Sequence, residues 1–287
     1  MKKLLIKLAV ACLTLVAVFN MGACTYRSEG SVIQDVNFEV SYKNSSNEDV
    51  NFDVTLCLYK TFAPKTCERI LSLIKSDFYE NTSIVFNRTG KYAVLGAYEF
   101  KDGEYSPLST EKDSIKGEFT KNGYDSKLLP TAGTLVMLRE PDTGKGGKKY
   151  DTAKVKFAIL LEDVGEFSGE DYCVFGKIKY NTEGLKNLVA MRDELIKDAD
   201  GLYHVKYAGL RSDDDVIDFS KTFEYAYDDS SKEMFAYLDD GTKSLEPFQT
   251  EEGQKDYDLY TQLTNSSEYD FYALPNALVT VKNFKKV

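Results

Sequence analysis

Ser83–Phe100, SIVFNRTGKYAVLGAYEF, sets one arginine inside an apolar run. Ile84, Val85 and Phe86 precede Arg88, and Tyr92, Ala93, Val94 and Leu95 follow it. The flanking segments read as two short strands. Arginine is almost never fully buried unless it is paired, so a guanidinium between two core strands needs a purpose.

Upstream, Val36, Phe38, Val40 and Tyr42 alternate with polar residues, and so do Val50, Phe52, Val54, Leu56 and Leu58. With KNSSNED as the turn, these form an antiparallel hairpin. In TFAPKTCERILSLIKSDFY, Pro64 suits the first turn of a helix, and Cys67, Ile70, Leu71 and Ile74 share one face. Downstream, Lys101–Asn122 reads as a polar loop and TAGTLVMLRE, Thr131–Glu140, as a strand. VKFAILLED and DYCVFGKIKY are two more strands. Thr182 is placed to cap a helix whose Leu185, Leu188, Val189 and Leu195 share a face. NALVTVKNFKKV alternates as a final strand.

Between that helix and that strand lies 201–272, which is acidic and carries nine of the twenty tyrosines. KTFEYAY and EMFAYL within it read as short strands. The expected fold is mainly β: a closed antiparallel barrel capped by two helices, with an inserted acidic subdomain before the last strand. In boundaries, 35–200 is the first part of the barrel, 201–272 the insertion and 273–287 the closing strand.

Residues 1–23 read as a leader. Lys2, Lys3 and Lys7 precede an apolar run from Leu8 to Phe19, then Gly22 and Ala23. That is the layout of a secretory signal, and the run is short for a membrane span. Met21-Gly22-Ala23-Cys24 resembles a bacterial lipobox, which implies a lipid on Cys24, a tether over 24–34 and an extracytoplasmic location. Losing three lysines takes the net charge from −10 to −13 over about 264 residues. So acidic a chain argues against nucleic-acid binding, which is driven by neutralising phosphates. Cys57, Cys67 and Cys173 have no disulfide spacing and read as small buried hydrophobes. A single histidine, His204, removes His-rich metal sites and argues against a Ser-His-Asp triad.

The pieces fall in the order of a known family. LYKTFAPKTCERILSLIKSDFY, IVFNRTGKYAVLGA, SIKGEF, GTLVMLRE, VKFAIL, CVFGKI and GLKNLVAM resemble successive segments of the cyclophilins. The resemblance covers about Asp35–Lys197 and Pro275–Val287. It implies a peptidyl-prolyl cis-trans isomerase, with no cofactor and no metal, acting on proline peptides or unfolded exported proteins. Arg88 holds the catalytic position. Tyr92, Ala93, Leu95, Leu138, Arg139, Ala158, Phe167 and Tyr172 fall at substrate-binding positions.

The same resemblance implies an eroded site. Asn87 stands for a histidine, Leu95 for a glutamine, Ala158 for the phenylalanine that floors the proline pocket, and Glu166 lies near the usual tryptophan. The expectation is a weakened isomerase assisting exported proteins; the alternative is an inactive peptide- or protein-binding lipoprotein. Two other signals are bland. GKGGKK lacks the spacing of a phosphate loop, and SDDDVID does not fit a calcium loop, so both read as solvated loops. The tyrosine-rich insertion is a candidate protein-interaction surface.

Overall fold

The computed structural model describes residues 32–87, 90–101, 104–108, 112–124, 128–139, 149–165, 167–197, 203–211, 217–228, 233–236, 272–275 and 277–287. The expected leader, tether and Cys24 lie outside these, as do GKGGKK, SDDDVID, Arg88 and Glu166.

Strands β1 (Ile33–Lys43) and β2 (Asp49–Tyr59) form the expected hairpin, in register from Ile33 opposite Tyr59 to Lys43 opposite Asp49. Asn44 shapes the turn: its Oδ1 accepts the Ser46 and Glu48 amides at 3.0 and 2.8 Å. Helix α1 (Pro64–Lys75) starts on its proline. Its exposed amides are met by a residue far along the chain: the Lys65 and Thr66 N–H groups donate to Glu118 at 2.9 and 2.8 Å. Its buried face holds Thr66, Cys67, Ile70, Leu73 and Ile74, while Leu71 stays half-exposed.

Next come β3 (Thr82–Asn87), β4 (Tyr92–Lys101), β5 (Glu104–Pro107), β6 (Thr134–Met137), β7 (Phe157–Leu160) and β8 (Cys173–Ile178). Strand β5 falls inside the stretch expected as loop; it folds back on β4 from Lys101 opposite Glu104. Helix α2 (Gly184–Leu195) follows. Thr182 does not cap it. The residue before the helix is Glu183, and the Thr182 hydroxyl donates to the Lys179 carbonyl at 2.7 Å. Its buried face is Gly184, Leu188, Met191, Arg192 and Leu195, so the expected Leu185 and Val189 lie at its margin.

β9 (Tyr203–Arg211), β10 (Ile217–Asp228) and β11 (Glu233–Ala236) pair into a separate three-stranded antiparallel sheet within the acidic segment. β12 (Tyr272–Ala273) and β13 (Thr280–Lys286) return to the main sheet. Tyr272, assigned from sequence to the insertion, pairs with Asn87 of β3.

The main sheet closes. Around it run β3, β13, β1, β2, β8, β6, β7 and β4, and β4 pairs back with β3. The final strand is thus inserted between β1 and β3. Closure removes the free edges that make open sheets sticky. The barrel is filled by Phe38, Phe86, Phe157, Phe175 and Tyr79, all fully buried. Tyr79 and Phe157 meet edge to face with centroids 5.7 Å apart, as do Phe157 and Phe175 at 5.8 Å. The Tyr79 hydroxyl is satisfied by the Val155 carbonyl at 2.7 Å. Among the described residues no helix is long and apolar enough to cross a membrane.

Candidate functional site

A strand's side chains alternate between its two faces. In this barrel both faces of β4, β6, β7 and β8 are buried, one toward the interior and one under a second apolar cluster outside. On the outer face, Val94 of β4 lies opposite Ala158 of β7, Ala158 opposite Val136 of β6, and Val136 opposite Val174 of β8. All four belong to the outer cluster. They make a stripe of small apolar side chains across four strands, a trough in the barrel wall that the rest of the outer cluster fills, with no polar group of its own.

Aromatic rings bound the trough. Tyr92 and Phe167 lie 5.0 Å apart between centroids, and Phe167 and Tyr172 are also 5.0 Å apart, both edge to face. The Arg139 guanidinium lies 4.5 Å from the centre of the Tyr172 ring and 5.4 Å from that of Tyr150. Such cation–π contacts contribute roughly 0.5–2 kcal/mol, more when water is excluded. Tyr150 in turn donates to Asp171 at 3.1 Å, and Lys121 pairs with the same carboxylate at 2.7 Å. Beside this stack a small recess opens between Thr66, Met137, Arg139, Tyr150, Tyr172 and Cys173. Burial pushes the Cys173 thiol up to about 12, so it remains a neutral wall.

The loop from β3 to β4 carries Arg88, whose own placement lies outside the described residues. Its two ends are well defined. Asn87 Oδ1 accepts the Tyr92 amide at 3.0 Å, and the Asn87 carbonyl accepts the Gly90 amide at 2.9 Å. Gly90 has φ +65°, which suits glycine. The Gly90 carbonyl is held in turn by Arg192 Nη1 of α2 at 3.1 Å. The Lys91 carbonyl accepts the Leu161 amide at 2.8 Å. So Asn87 clips the ends of the loop together, and Arg192 moors it. Arg192 lies among the apolar positions of a helix face and carries no local sequence signal of this role.

The expected site residues therefore divide. Tyr92, Leu138, Ala158, Phe167 and Tyr172 sit in or against the outer cluster, and Arg139 stacks on Tyr172. Ala93 and Leu95 lie on the other face of β4 from these residues. Both are fully buried and pack in the barrel interior. A slip of one residue along a strand exchanges its faces, and the residue facing Ala158 is Val94. Among the described residues no three His, Cys, Asp or Glu side chains converge as metal ligands.

Residues 45–205, more than half of the chain, match the family model described as cyclophilin type peptidyl-prolyl cis-trans isomerase/CLD. The chain belongs to the cyclophilin family. Two staves of this cyclophilin barrel, β1 and β13, lie outside the matched range. A peptidyl-prolyl cis-trans isomerase of Arabidopsis thaliana is 30% identical over 141 residues, 47% of this chain and 55% of that protein. A peptidyl-prolyl cis-trans isomerase-like protein of Gibberella zeae is 23% identical over 131 residues, 46% of this chain and 72% of that one. The cyclophilin chain thus spans about half the length of the plant relative. Among solved structures, a Cryptosporidium parvum cyclophilin type isomerase in the presence of the dipeptide Ala-Pro covers 63% of this chain and 96% of its own, at 20% identity and a TM-score of 0.37.

Proposed function

We propose that this cyclophilin is a prolyl cis-trans isomerase for exported polypeptides, held outside the cytoplasmic membrane by a lipid on Cys24. The observation that carries the reading is the apolar trough of Val94, Ala158, Val136 and Val174 beside the moored loop that bears Arg88. The leader of lysines, apolar run and Gly22-Ala23-Cys24 supports export and lipidation.

The reaction asks for no nucleophile. The barrier to rotation about a peptide bond is about 18–20 kcal/mol, because rotation breaks amide resonance. A proline ring seated in a dry apolar trough is fixed while the rest of the peptide turns. A guanidinium brought to the amide favours the twisted form by hydrogen bonding to groups that become more basic as resonance is lost. That is preorganised electrostatic stabilisation, stronger in the transition state than in either ground state. Arg88 is the residue for that role, and Arg192 and Asn87 hold its loop.

The test is cis-trans exchange on a panel of proline peptides, followed by NMR with the chain from Thr25 onward. Accelerated exchange that disappears in Arg88→Ala supports the reading. Binding without acceleration would make this a silent peptide-binding cyclophilin instead. Incorporation of labelled palmitate in wild type but not in Cys24→Ala supports the anchor; equal behaviour of the two would overturn it.

A further inference from the structure

The trough has a residue in it that no barrel strand of the matched range supplies. β12 lies on the edge of β3 opposite β4: Ala273 pairs with Phe86, which on its other side pairs with Ala93. Phe86 and Ala93 face the interior. Tyr272 and Leu274, the neighbours of Ala273, therefore take the outer face, and both belong to the outer cluster with Val85, Val94 and Ala158. Tyr272 is 7% exposed and Leu274 fully buried.

The position of the Tyr272 ring follows from its neighbours. It meets the Tyr98 ring edge to face, with centroids 6.1 Å apart and planes at 90°. The Lys156 ammonium lies 5.8 Å from its centre. Lys156 leads into β7 two residues before Ala158, so the two share the outer face. The ring thus lies among outer-face groups of β4 and β7, at the end of the trough marked by Val94 and Ala158. Those two side chains are small, and the Tyr272 ring shares the outer cluster with them.

We infer that Tyr272, delivered by the segment that returns from the acidic insertion, is a specificity-determining wall of the proline cleft. It supplies from outside the matched barrel the aromatic surface that Ala158 cannot. The inference rests on the isomerase reading for the identity of the occupant, but not for the position of the ring. Lys156 stands over the same ring, so the wall carries a cation at its edge.

Two measurements test this. In the first, methyl resonances of Val85, Val94 and Ala158 are compared in wild type and Tyr272→Leu. Loss of the ring current should move Val94 and Ala158 downfield while methyls of the barrel interior stay in place. Unmoved outer methyls in a folded variant overturn the inference whatever the activity. In the second, the peptide Gly-Ala-Ala-Pro-Ala is titrated into wild type, Tyr272→Ala, Tyr272→Phe and Tyr272→Ala with Ala158→Phe. The wall predicts about tenfold weaker binding for Tyr272→Ala, near-normal binding for Tyr272→Phe, and partial recovery in the double variant, on the scale of one aromatic contact. Tighter binding by Tyr272→Ala would mean the ring is a plug, and would overturn the inference. If no chain binds the peptide yet the methyls shift, the isomerase reading fails, the cleft role falls with it, and only the packing of Tyr272 on Ala158 stands.

Discussion

Arg192 Nη1 donates to the Gly90 carbonyl at 3.1 Å and to Glu162 Oε1 at 2.6 Å, so one buried guanidinium joins α2, the end of β7 and the loop bearing Arg88. Its Nε and Nη2 are both taken up by Asp193, at 2.9 and 2.8 Å. Arg192→Met keeps much of the side chain's apolar stem and removes every one of these bonds. Glu162 and Asp193 are themselves partly exposed and can turn to water, so the cost is below that of a fully buried pair, about 2 kcal/mol. The loop should then lose its mooring. Chemical denaturation is expected to show the stability loss, and prolyl exchange by the folded variant should fall further than that loss explains. An exchange rate equal to wild type would show that Arg192 is structural only.

Glu118 is the cap of α1, though it is 52 residues away from Thr66. Both its oxygens accept helix amides, and its side chain is buried. A carboxylate there also faces the positive end of the helix. Glu118→Ala should cost about 1–2 kcal/mol, the range of a lost N-cap. Amide exchange at Lys65 and Thr66 should accelerate locally. Glu118→Gln, which keeps one acceptor, should lie between the two.

Acid should loosen the contact between the β1 end and α2. Glu194 accepts the Ser45 amide at 3.0 Å and its hydroxyl at 3.1 Å, and Tyr42 donates to it at 3.0 Å. The Ser45 amide is the chief cause that holds this carboxyl below its ordinary value, against an opposing push from burial. A depressed carboxyl contributes stability above its unfolded value, and the contribution is lost as pH falls through the folded value. The Tm advantage of wild type over Glu194→Gln should therefore be present at pH 6 and vanish as pH is taken below about 4. A constant difference across that range would refute the link. At the alkaline end, burial and then Glu194 push the Tyr42 phenol up to about 12, so its contribution is lost as pH rises past the ordinary tyrosine value toward that figure.

Cys57 is half-buried yet should be slow to react. Burial first, then the hydrogen bond and charge of Asp35, raise its thiol to about 12. The thiolate is the nucleophile, so alkylation at pH 8 should run roughly a thousandfold slower than for an ordinary thiol. Asp35→Asn should quicken it, read by iodoacetamide labelling and mass spectrometry. Labelling at the rate of a free thiol would show that Asp35 does not govern Cys57.

Gly176 lets β8 lie close against β2. A Cβ there would lie 2.5 Å from the Cys57 carbonyl oxygen and 2.9 Å from Leu135 Cδ1. The first is backbone and cannot step aside. Gly176→Ala should cost about 1–3 kcal/mol, the scale of core overpacking, measured as a shifted denaturation midpoint. A neutral result would mean that β2 and β8 separate readily, against their pairing at Leu58 and Gly176.

The barrel was legible in the sequence wherever one face of a strand is wet. β1 alternates apolar and polar residues, and both its span and its partner follow from that. β4 could be located but not oriented. From Ala93 to Tyr98 it is buried on both faces, so its composition does not alternate, and nothing in the sequence says that Val94 rather than Leu95 faces the outer cluster. Arg192 and Glu118 were illegible for a different reason. Each acts on a segment remote in sequence, and neither departs from its local pattern. Tyr272 was read with the insertion because acidity and tyrosine content run continuously up to it. The register that places it on β3 is a tertiary fact.

The place of β13 has a consequence for how the molecule is made. Synthesis runs from the first residue onward, yet the stave between β1 and β3 is built from Thr280–Lys286. Until those residues leave the ribosome, β1 and β3 each present an unpaired edge. The acidic segment must be completed first. The barrel therefore cannot close, and those edges cannot be covered, before the whole acidic segment has been made.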